Sequence, residues 1–170
     1  MSERHLALDH LKFGYEGLFN AGEVFSIISS FFYEKGYDWN ERVNEEQITP
    51  NGKQIHIIVV PWKNVSDYYK IMVKITLNII DLKEVEVEQQ GQSLKLGQGV
   101  LRMTTDAYVM SDRKGKWEGS TLKWLFMVLT EKYLFRDHLA KFETWVKSDV
   151  EDLMHKVKTY LNTNKYSYTA

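Results

Sequence analysis

The chain has 170 residues, the size of one domain rather than two, and a chain of that length buries about 70% of the surface its unfolded form exposes. It is 44% hydrophobic and 26% charged, which separates it from intrinsically disordered sequences. Its 22 basic and 23 acidic side chains lack the basic field that nucleic acid or an anionic membrane requires, and the absence of cysteine excludes disulfides, thiol catalysis, zinc–thiolate sites and iron–sulfur clusters.

The segment from Met1 to Tyr15 carries Glu3, His5, Asp9, His10 and Lys12 and contains no apolar run of signal-peptide length. The longest apolar run, Trp124 to Leu129, is far short of the roughly 20 residues that span a bilayer. A cytoplasmic location is the expectation. No repeat or linker divides the chain, so a single domain is expected over 1–162, followed by a frayed polar tail at 163–170.

His10 to Phe19 reads as a first strand, with Leu11, Phe13 and Tyr15 spaced by two. Asn20 is placed to cap a helix over Ala21 to Lys35, because its side-chain oxygen can accept from the free N–H groups of the first turn. Val24, Ile27, Ile28, Phe31 and Phe32 form the apolar stripe of that helix, and Gly36 suits its left-handed end. Asp38 to Ile48 alternates weakly, as a partly buried edge strand does. Thr49-Pro50-Asn51-Gly52 is a turn, and Gln54 to Val60 is its hairpin partner, apolar enough to be covered on both faces.

Tyr68 to Ile80 is the plainest strand, with Tyr69, Ile71, Val73, Ile75, Leu77 and Ile79 on one face. Glu84 to Glu88 repeats the alternation. Gly91 marks a turn, and Gly97 and Gly99 mark a bulge. Val100 to Met110 forms a further strand, Asp112 to Gly115 a turn, and Lys116-Trp117 a short last strand. Ser120 or Thr121 caps a helix over Leu122 to Tyr133 that is apolar around most of its surface and is expected to be largely buried. Its alternative fate is an exposed patch that meets a second subunit. A membrane surface is disfavoured, because Lys123, Glu131 and Lys132 give it a mixed polar face.

The last segment carries the strongest pattern. Phe135, Leu139, Phe142, Val146, Val150, Leu153, Val157 and Leu161 recur three or four residues apart, which puts a continuous apolar stripe on one long helix. Asp137/Lys141, Glu143/Lys147 and Asp152/Lys156 are spaced to support it as i,i+4 pairs, and Asp149, Glu151 and Asp152 read as a solvated face.

Together these elements define an α+β domain: a curved antiparallel sheet of about six strands with an N-terminal helix and a long C-terminal helix packed on it. This order resembles the helix-grip fold of the START-like superfamily, which includes polyketide cyclase/dehydrase and Bet v 1-like proteins. The resemblance implies an apolar cavity between the sheet and the last helix. It implies a small apolar ligand there, for which Tyr69, Val73, Met103, Phe142 and Trp145 are the candidate lining.

The polar candidates are sparse. His5, Asp9 and His10 could ligate a metal, but the spacing fixes no geometry, and neither metal nor cofactor is expected. His56 is either a pocket acid/base or, more commonly, a core or edge residue with one hydrogen bond. Arg102, Asp106 and Tyr108 share a strand face, which orients a ligand if it looks inward and forms ordinary cross-strand contacts if it looks outward. No phosphate loop, nucleophile elbow or zinc-protease pattern is present, so an enzyme using His56 or Asp106 as base is the weakest reading. A non-enzymatic ligand-binding module, or a structural module that contacts a partner or forms a homodimer through the 122–133 helix, accounts better for the sequence.

Overall fold

A computed structural model describes residues 4–111, 121–133 and 136–168. In chain order the elements are β1 (Arg4–Phe19), α1 (Ala21–Glu34), β2 (Glu41–Thr49), β3 (Gly52–Val59), β4 (Trp62–Asn64), β5 (Lys70–Gln89), β6 (Gln92–Met110), α2 (Thr121–Tyr133) and α3 (Arg136–Tyr168). The strands form one curved antiparallel sheet in the order β1-β6-β5-β3-β2, with β4 pairing β5. The α+β architecture expected from the sequence is the one observed.

The period of two in β5 decides which face is inside. Tyr69, just before the strand, and Ile71, Val73, Ile75, Leu77 and Ile79 are all buried, as are Leu101, Met103, Ala107 and Val109 on β6. α3 lies across this face, touching β1, β5 and β6. Its stripe is buried at Phe142, Val146, Val150, Leu153, Val157 and Leu161, and Leu139 packs against the same cluster. Phe135 lies outside the described residues. Each Val or Leu so buried stabilises the fold by roughly 1.5–3 kcal/mol, and this holds α3 to the sheet. The helix continues to Tyr168, past the start of the polar tail.

α1 packs on α3 through Val24, Ile28, Phe31 and Phe32. The Asn20 side chain caps it, accepting from the backbone N–H of Gly22 at 2.9 Å and of Glu23 at 3.3 Å. The Thr49–Gly52 turn closes the β2–β3 hairpin, and the Thr49 hydroxyl donates to the Gly52 carbonyl at 2.7 Å.

The structure departs from expectation in several places. β1 begins at Arg4, because two register shifts, between Leu6 and Leu8 and between Leu8 and Leu11, break the period of two without ending the pairing with β6. Glu84 to Glu88 is not a separate strand. It continues β5 beyond a bulge between Ile80 and Lys83, where Asp81 takes φ 53°. The bulge is therefore on β5, and Gly97 and Gly99 lie opposite it on β6. β3 is only half covered: Ile57 and Val59 are buried, while His56 and Ile58 on the outer face are partly open. The turn and short strand expected over 112–117, and the cap expected at Ser120, fall outside the described residues.

Candidate functional site

The five residues expected to line an apolar cavity divide by depth. Tyr69, Val73, Met103 and Phe142 belong to one buried cluster with Ile75, Leu77, Val146 and Val150. Trp145 is 39% exposed, at the rim. The rings of Tyr69 and Phe142 are 5.3 Å apart and those of Phe142 and Trp145 6.3 Å, so an aromatic series steps from the core to the surface. The Lys63 ammonium sits 4.8 Å over the Trp145 ring.

Arg102, Asp106 and Tyr108 point away from α3, because Leu101, Met103, Thr105, Ala107 and Val109 take the inner positions. They do not form one cluster. Arg102 pairs in register with Asn78 and lines an outer-face cleft of about 580 Å³ with Glu45, Gln54, His56 and Asn78. There His56 Nδ1 lies 2.5 Å from Asn78 Oδ1, on an interior strand paired on both sides by β2 and β5. Asp106 lies four positions further along the strand, roughly 13 Å away. Although it faces outward it is only 5% exposed, and its Oδ1 accepts the backbone N–H of His10 at 2.7 Å. The β1 bulge that breaks the sequence pattern is what carries Asp9 and His10 onto Asp106. No sequence spacing signals a contact across that ladder.

α2 departs most from its expected role. Leu122 is 79% exposed, Phe126 62% and Tyr133 71%, and Leu125 and Leu129 are also open. The burial expected of this helix does not occur at these positions. Its main neighbour among the described elements is α3. The five open residues fall at i, i+3, i+4, i+7 and i+11, within one side of the helix, and are flanked by Lys123 and Lys132. Thr130 turns its hydroxyl back to the Phe126 carbonyl at 2.6 Å, so it leaves the stripe free of a competing polar group. The α2 stripe is thus an apolar run along one side of a helix, exposed at all five positions.

A curved antiparallel sheet that carries a long C-terminal helix is compatible with the helix-grip fold. Compared with protein-family models and with curated proteins, the chain matches none. Among the described residues no helix is long and apolar enough to cross a membrane.

Proposed function

We propose that the chain is a non-catalytic interaction module on a START-like helix-grip scaffold, which associates with a second copy of itself through α2. The open stripe Leu122, Leu125, Phe126, Leu129 and Tyr133 carries this reading. Scattered apolar residues are ordinary on a surface, but five along one side of a helix about 20 Å long form a contiguous patch. The stripe is self-complementary. Two copies laid antiparallel set Leu122 of each against Tyr133 of the other and bring Phe126 and Leu129 together near the two-fold axis. Its flanks offer two lysines, too little charge to select anionic lipid or an acidic peptide.

Sedimentation velocity over a concentration series tests this. The wild-type chain shifts toward dimer as concentration rises, and Phe126→Glu remains monomeric with unchanged circular dichroism. A wild-type chain that stays monomeric throughout, or a Phe126→Glu chain that associates equally well, overturns the reading.

The aromatic series supports a second reading, in which a small apolar ligand enters beside Trp145 and lies against Tyr69, Val73, Met103 and Phe142. Native mass spectrometry after incubation with cell lipid extract distinguishes the two. A retained apolar mass that Trp145→Ala releases supports ligand binding, and a bare chain from several extracts counts against it.

A further inference from the structure

Two β-bulges in β1 place Asp9 and His10 beside Asp106, although 96 residues separate His10 from Asp106 in the chain. His10 takes φ 46°, a left-handed conformation that a non-glycine residue adopts at a cost, and its ring is carried over the outer face. His10 Nδ1 contacts a carboxylate oxygen of Asp9 and lies 3.3 Å from Asp106 Oδ1. One donor atom from each of the three residues lies within 4.8 Å of the others. Lys74, directly across the ladder from Asp106, forms no ion pair with it, and no hydrogen bond engages Asp106 Oδ2 among the described residues. A largely buried carboxylate thus stands beside a second carboxylate and an imidazole.

We propose that Asp9, His10 and Asp106 form a binding site for one first-row divalent transition-metal ion on the outer face of the sheet. One imidazole nitrogen with two carboxylate oxygens suits zinc, iron, cobalt, nickel or manganese, whereas calcium and magnesium favour sets made of oxygen alone. Donors bound at about 2.1 Å to one such ion lie up to about 4 Å apart. Small rotations of the exposed Asp9 and His10 side chains close the set onto Asp106, which the His10 N–H already holds in place. Three protein donors leave coordination positions open to water, since the Asp9 and His10 side chains are about two-thirds exposed.

Isothermal titration of the untagged chain with zinc chloride tests the site, with cobalt chloride absorption as a second readout of geometry. The expected result is one saturable ion per chain and a cobalt spectrum that is lost in His10→Asn. Asparagine tolerates the left-handed backbone and removes the imidazole. Zinc affinity falls at least about tenfold in His10→Asn and in Asp106→Asn, the loss expected when a metal's ligand environment is altered. It is unchanged in His155→Ala, on α3. No saturable zinc, or His10→Asn binding zinc as the wild type does, overturns the proposal. Because His10→Asn is an exposed substitution, its result stands even if Asp106→Asn fails to fold.

Discussion

Asp149 shows how a single side chain can read as one thing in sequence and act as another. Between Ser148 and Val150 on a charged helix it looks solvated, yet it is 3% exposed. The Tyr37 hydroxyl donates to its Oδ2 at 2.8 Å, and the Lys35 ammonium lies 3.3 Å from its Oδ1. Lys63 donates to the Lys35 carbonyl at 2.7 Å, which ties the end of α1 to the same knot. A hydrogen bond to a charged group contributes about 1.5–3 kcal/mol, so Tyr37→Phe lowers the free energy of urea unfolding at pH 7 by that amount. Burial first, then the Asp149 charge, pushes the Tyr37 phenol far up. The unfolded chain ionises this phenol near pH 10 while the native chain does not. Its contribution is therefore complete below about pH 10 and declines as pH rises beyond it. Lys35, raised chiefly by its hydrogen bond to Asp149, acts with the same sign. Urea titrations from pH 8 to 11 should show stability falling above pH 10, with a shallower fall in Tyr37→Phe.

At the scale of elements, the bulge in β5 does most to shape the sheet. Asp81 adopts a left-handed φ, and the chain of β6 passes so close that a Cβ on Gly99 would lie 2.9 Å from the Ile80 carbonyl oxygen. Gly99→Ala therefore forces backbone to move and costs roughly 1–3 kcal/mol, measurable by thermal or urea unfolding. The paired glycines were readable as a bulge because nothing else explains two of them in an alternating run. The partner strand that carries the extra residue was not, since pairing across a ladder leaves no local trace. The inner face of β5 and the stripe of α3 were legible for the opposite reason: burial on one side imposes a period that runs unbroken along each element. β1 was read short because its bulges interrupt that period at Asp9 and His10. Asp152 and Lys156, spaced as partners on one helix, instead pair with Lys35, the C-cap of α1, and with its last residue Glu34, at 3.3 and 3.5 Å. Their spacing permits the local pair, and the neighbouring helix supplies a competing one. For α2 the sequence left burial and an exposed patch both open, because its apolar residues alone do not say which of them face the rest of the chain; Leu122, Leu125, Phe126, Leu129 and Tyr133 prove exposed.

Over the whole molecule, the helices α1 and α3 stand on one face of the sheet, and the opposite face carries charged and polar side chains from Lys12, Lys74, Asn78, Arg102 and His56. The association proposed for α2 would add to the stability of the fold by mass action, since a dimer binds only folded chains. The midpoint of thermal unfolding should then rise with protein concentration in the wild type and stay constant in Phe126→Glu, as differential scanning fluorimetry across a dilution series would report. β2 bounds the sheet on one side, and its free border carries Glu41, Glu45 and Glu46, with Glu46 held to Lys53. A foreign strand approaching that border meets charged side chains, Arg42 among the glutamates, before it can reach a backbone N–H or C=O. Polymerisation by strand addition is thereby discouraged along this side of the sheet.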